Sequence, residues 1–197
     1  MRTIDPFPYP LLIGLLILGL VGYRRRKRGW LYLMGLSVFG LYVMAVIFVV
    51  FFPIQLPETW PSNLRGRDPS YILATIRNVN LIPFNYGRMF AEARRGMITP
   101  RIVFQEIGGN ILLTIPFGAG MGFLTRPHGW GVARLAFGTG LALEGTQLLS
   151  RLIGVETYHA VDINDVLLNA LGVALGYGLY RVGQWGVQKL RLAFDSG

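Results

Sequence analysis

Three sets of polar side chains interrupt a chain that is otherwise strongly apolar. Glu144, Gln147 and Arg151 are spaced i, i+3, i+7, which puts them on one face of a helix. Asp162, Asp165 and Asn169 repeat that spacing, and Glu106 and Asn110 form a third set at i, i+4. Carboxylates gathered in this way can work as general acid and base, and Glu144, Asp165 and Asp162 are the catalytic candidates. The same three could hold a divalent cation through oxygen ligands. Arg88, Arg94, Arg95 and Arg151 suit phosphate, because a guanidinium presents a planar fork of donors. The plain alternative is that these groups cap helices, sit at an interface or join helices by hydrogen bonds, and for Asp162 an N-cap is the obvious form of it.

The elements that must carry these residues read as membrane helices. The 197 residues are 52% hydrophobic and only 15% charged, with a formal net charge of +9. In a soluble domain such a balance would point to nucleic acid. Here the apolar excess is the stronger fact, and the basic residues read as topology signals. The absence of cysteine excludes a disulfide framework, a thiolate metal site and a cysteine nucleophile.

Trp30 to Phe52 holds 23 residues without a charge, and about 20 suffice to cross the hydrocarbon core. A shorter run, Tyr9 to Tyr23, precedes it. The cluster Arg24, Arg25, Arg26, Lys27, Arg28 lies between the two. A cleaved leader would carry its charge before the apolar run, so this order favours a cytoplasmic anchor. Thr99-Pro100 marks a helix start, with the helix expected to reach about Thr125 and to be kinked by Pro116. Further spans are expected from Trp130 to about Ser150 and from about Val161 to Tyr180, with a short amphipathic helix over Gln184 to Phe194. The fold class is therefore all-α: an integral membrane bundle of about five transmembrane helices, since only helices or closed barrels satisfy the backbone in lipid. It divides into 1–52 with two N-terminal helices, a long extracytoplasmic connection over 53–99 containing short amphipathic or re-entrant helices, a three-helix core over 100–181 and a cytoplasmic tail over 182–197. With the 24–28 cluster placed in the cytoplasm, all three polar sets fall near the outer membrane face.

The motifs in this frame are Asn80-Leu81-Ile82-Pro83-Phe84, the stretch Phe104-Gln105-Glu106-Ile107-Gly108-Gly109-Asn110 continuing to Pro116-Phe117-Gly118, then Leu143-Glu144-Gly145-Thr146-Gln147, and Asp162-Ile163-Asn164-Asp165-Val166-Leu167-Leu168-Asn169 with Gly172 and Gly176-Tyr177. In this order they resemble the VanZ-like family of bacterial membrane proteins, over roughly residues 75–181. The resemblance implies a multi-pass protein of the bacterial cytoplasmic (inner) membrane. It also implies an association with resistance to teicoplanin, a lipid-tailed glycopeptide acting outside that membrane. The family's polar positions map onto Asn80, Asn110, Glu144, Gln147, Asp165 and Asn169. Two positions depart from it: many members have Arg where His159 stands and Phe where Thr114 stands. His159 keeps a cationic role only when protonated.

The resulting expectation is a site for an envelope lipid or lipid-linked substrate at the outer leaflet. Its binding residues are Asn80, Asn85, Arg88, Glu106, Asn110, Gln147, Arg151, His159 and Asn169, and a divalent cation is the one cofactor considered. The alternatives are a proton- or cation-coupled transporter, in which Glu144 and Asp165 titrate in a wet cavity, and a structural or regulatory membrane protein without catalysis. No nucleic-acid partner is expected. Nothing resembles a Ser-His-Asp arrangement, a phosphate-cradling glycine loop or a zinc signature.

Overall fold

In the long apolar runs the backbone has no partner but itself, and among the described residues seven α-helices form. The computed structural model describes residues 2–5, 7–52, 54–56, 69–97, 99–154 and 161–195. Helix α1 spans Tyr9–Arg24 and α2 spans Trp30–Phe51, joined by a 3-10 turn over the basic residues Arg26–Arg28. Two short helices, α3 (Pro69–Arg77) and α4 (Tyr86–Arg94), fall in the long connection. The last three are α5 (Pro100–Thr125), α6 (Trp130–Leu152) and α7 (Ile163–Asp195).

By length and apolar composition, α2, α5 and α7 can each cross a membrane. Helix α1 is apolar but has only 16 residues. Helix α6 has the length, with 23 residues, but Arg134, Glu144 and Arg151 dilute its apolar character. The chain is thus an all-α membrane protein. Two features differ from the sequence reading. Helix α7 continues unbroken to Asp195, so Gln184 to Phe194 is its last three turns and not a separate helix. Two three-residue strands, β1 (Arg2–Ile4) and β2 (Ile54–Leu56), also pair antiparallel and tie the start of α1 to the end of α2.

The core is α5, α6 and α7, held by close backbone approach. A Cβ on Gly176 would lie 1.9 Å from the Ile115 carbonyl oxygen, one on Gly118 2.0 Å from that of Val173, and one on Gly140 2.5 Å from that of Val166. Only glycine lets helices approach so closely, and in lipid this van der Waals packing is the main association force. Ala136, Ala170 and Val173 are buried between these helices, with Phe117 and Leu135 against them. Helix α2 lies antiparallel along α5. Tyr32 stacks near Phe123, Phe39 meets Phe117, and the Tyr42 hydroxyl donates to the Leu113 carbonyl. This pairing places the basic Arg26–Arg28 turn at one end of the bundle. The starts of α5 and α7, together with Glu144, lie at the other.

Candidate functional site

The site begins with a clamp between the 78–85 connection and the start of α7. Asn80 N–H donates to the Val161 carbonyl at 3.0 Å, and Ile163 N–H donates to the Asn80 carbonyl at 2.9 Å. The Asn80 amide donates to Asp162 Oδ2 at 2.8 Å. Asp162 Oδ1 accepts from the Asn164 backbone N–H and side-chain amide, both at 2.8 Å. Asn164 in turn donates to the Ile82 carbonyl and accepts from Phe84 N–H at 2.6 Å. Phe84 sits at φ 59°, a left-handed conformation that is uncommon for a bulky residue, and its N–H is held there by Asn164. Both oxygens of Asp162 are thus engaged in fixing the connection. Asn85 lies at the N-cap of α4 without a side-chain capping bond.

Below the clamp is a cavity of about 190 Å³. Helix α5 contributes Gln105, Glu106 and Asn110, α6 contributes Glu144 and Gln147, α7 contributes Asp165 and Asn169, and Val49 and Val50 of α2 form an apolar wall. Glu144 is 5% exposed and takes the Asp162 backbone N–H on Oε2 at 3.1 Å. Asp165 Oδ1 accepts from the Asn110 amide at 2.8 Å, and that amide also donates to the Glu106 carbonyl. Asn169 is buried at 2% exposure, and its backbone carbonyl accepts from Thr114 at 3.0 Å. Its Oδ1 has no hydrogen-bond partner among the described residues, and neither does Gln147 Oε1. A smaller cavity of about 60 Å³ lies on the other side of Glu106 and Asp165, walled by Tyr86, Met89, Asp162 and Asn164.

The spacing argument thus finds its counterpart in space for Glu106, Asn110, Glu144, Gln147, Asp165 and Asn169, which share one cavity. Asn80 and Asp162 are in the clamp. Arg151 is half-buried in the last turn of α6, its carbonyl accepting from Tyr71, and it lines neither polar cavity. The Arg88 side chain and all of His159 lie outside the described residues. Gln105, Tyr86 and Asn164 were not singled out from sequence. Gln105 and Asn164 sit inside quoted motifs, but only the fold gives them partners.

The electrostatics are one-sided. Among the described residues the larger cavity is lined by Glu106, Glu144 and Asp165 and by no Lys, Arg or His. Tyr86, on α4 beside it, registers this charge. Its pKa is pushed up to about 12, first by burial and then by Asp165, Asp162 and Glu106, so its hydroxyl stays a donor and reaches the Asn164 carbonyl at 3.4 Å. Among the described residues no three acidic or histidine side chains gather as a metal ion requires. Both oxygens of Asp162 are spent in the clamp, which leaves Glu144 and Asp165 as the carboxylates of α6 and α7 in the cavity.

No curated protein and no solved structure matches the chain. The family model VanZ/LLP1 matches residues 39–184, about three-quarters of the chain. That match runs from α2 through the core to α7 and takes in both the clamp and the acidic cavity, so the chain belongs to the VanZ/LLP1 family.

Proposed function

We propose that this VanZ-like protein crosses the bacterial inner membrane with five helices and binds an envelope lipid or lipid-linked substrate in the acidic cavity, from the outer leaflet. The association with teicoplanin resistance follows from the family and would act through that binding. The observation that carries the reading is a polar cavity at the end of the bundle opposite the basic Arg26–Arg28 turn. Basic loops favour the cytoplasmic side, which leaves the cavity outside. A volume of about 190 Å³ equals roughly six waters at ~30 Å³ each, room for a small head group. Leu81, Ile82 and Phe84 are exposed on the clamped connection, an apolar tip suited to the membrane interface. Both polar cavities stay at this one end, which favours binding over passage across the membrane.

The test is Glu144→Gln and Asp165→Asn in a host challenged with teicoplanin, with membrane abundance measured alongside. Both changes keep shape and remove charge. Interhelical hydrogen bonds contribute only about 0.6–2 kcal/mol, so folded protein should persist while protection is lost. Protection retained by both variants at equal abundance refutes a working role for the carboxylates. Absence of protection by the unmutated chain refutes the resistance link.

A further inference from the structure

The lining of the larger cavity specifies its occupant more narrowly than "lipid". Glu144 and Asp165 each use one oxygen internally, on Asp162 N–H and on the Asn110 amide. Each retains a second oxygen without a hydrogen-bond partner among the described residues. Asn169 Oδ1 and Gln147 Oε1 are unpartnered as well, and Asn169 is almost fully buried. The two free carboxylate oxygens belong to residues that line one space, and a group that buries them must bring donors, because a buried acceptor left unpaired is costly. Phosphate brings acceptors and negative charge and would meet three carboxylates, with no cation in the lining among the described residues. An alkylammonium brings three N–H donors, one positive charge and no acceptor.

The route for the rest of such a ligand is also present. The apolar wall residue Leu143 belongs both to the acidic cavity and to a groove of about 630 Å³ between α2 and α6. Ile47 and Phe51 form one side of that groove, Leu135 and Thr139 the other, and Phe117 its floor. Leu143 to Leu135 is about 12 Å at 1.5 Å per residue, close to the ~15 Å of one leaflet's hydrocarbon. Head site and groove share Leu143 as a wall, so a ligand with its head in one has the other beside it for its chain.

We infer that the cavity takes the primary ammonium head of an amine-bearing lipid, with its acyl chain lying in the groove between α2 and α6. This rests on the outer-leaflet binding reading and names the substrate class for it. Arg151 lies beyond Gln147 on α6 and does not line the cavity.

The experiment uses the full chain in nanodiscs containing equal parts phosphatidylethanolamine, phosphatidylcholine and phosphatidylglycerol with identical acyl chains. Lipid retained on release is read by native mass spectrometry. Phosphatidylethanolamine should be retained at least tenfold over both others, because trimethylation removes the N–H donors and phosphatidylglycerol lacks the charge. Gln147→Lys places a cation among the acceptors and should abolish the preference, as should Asp165→Asn. Thr139→Trp narrows the groove away from the acidic cavity and should lower phosphatidylethanolamine retention while leaving competition by soluble ethanolamine intact, which separates a lipid from a free amine. Displacement by millimolar Mg²⁺ but not by ethanolamine would overturn the inference in favour of a metal ion. Equal retention of the three lipids at a site still blocked by Thr139→Trp would overturn the ammonium head while leaving lipid binding standing. No retained lipid at all would overturn both. Circular dichroism and unchanged elution of Gln147→Lys guard against misfolding, and Thr139→Trp supplies an independent variant.

Discussion

Gly176 and Gly178 lie two residues apart on α7, and substituting each by alanine should give opposite results. A Cβ on Gly176 would stand 1.9 Å from the Ile115 carbonyl oxygen and 2.8 Å from its carbon, with Ala119 N at 2.9 Å. All three are backbone atoms and cannot rotate away. To reach an ordinary 3.4 Å contact, α7 must move from α5 by about 1.5 Å. The same seam holds Gly118 against Val173 and Gly172 against Thr114 and Ile111, so the shift is shared along it. The Thr114 to Asn169 bond at 3.0 Å and the Asn110 to Asp165 bond at 2.8 Å would both be stretched past hydrogen-bond length if it is transmitted in full. Overpacking of this kind costs about 1–3 kcal/mol.

A Cβ on Gly178 meets nothing within 4 Å, and alanine in a helix gains about 0.5–1 kcal/mol over glycine. The propensity gain is common to both variants and cancels in the comparison, so Gly176→Ala should be less stable than Gly178→Ala by about 1–3 kcal/mol. Unfolding in mixed micelles titrated with sodium dodecyl sulfate, followed by far-ultraviolet circular dichroism, measures the difference. Gly176→Ala should also lose the lipid preference of the cavity, because its amide and carboxylate are held from facing helices. Equal midpoints for the two variants would refute the packing of α5 on α7 described above.

Loss of the clamp should be local. Asn164→Ala removes the acceptor for Phe84 N–H and the donor to the Ile82 carbonyl, and should raise amide exchange across 80–85 while leaving that of α5 and α6 unchanged; uniform exchange throughout would contradict it. Tyr86 has a folded pKa of about 12 against the usual 10, so the unfolded chain gives up this proton first as pH rises. Its contribution to stability is present below about pH 10 and is lost between about 10 and 12. Tyr86→Phe should remove that part of the alkaline decline in a pH series of the same unfolding assay, and an unchanged decline would show that other groups cause it.

How much of this was legible depends on whether one period was enough. Glu144 with Gln147, and Asp165 with Asn169, are separated by three and four residues, so each pair shares a helix face wherever the helix goes. Their meeting around one cavity needed only that α6 and α7 be neighbours. Arg151 obeys the same period but stands roughly 10 Å along the axis from Glu144 at 1.5 Å per residue, which carries it past the cavity. Spacing fixes a face and leaves depth to the partner helix. The β1–β2 pairing was not legible, since three residues on each side carry no alternation and their contact spans over fifty residues of chain. Asn164 was hidden for a related reason: its donors and acceptors are satisfied by Ile82 and Phe84, about eighty residues earlier.

Division of labour among the four polar residues that begin α7 explains why they are so close in sequence. Asp162 and Asn164 point back to the connection, and their oxygens and amide are consumed in holding it. Asp165, one residue on, turns to the opposite side, where it separates the two cavities and meets α5 through Asn110. Asn169, one turn deeper, is anchored by its backbone to Thr114 and lines the cavity. The rigid half of this short segment fixes the position of the half that faces a ligand. Substitutions at 162 and 164 should therefore disturb binding only through geometry, whereas those at 165 and 169 remove groups that a ligand would touch.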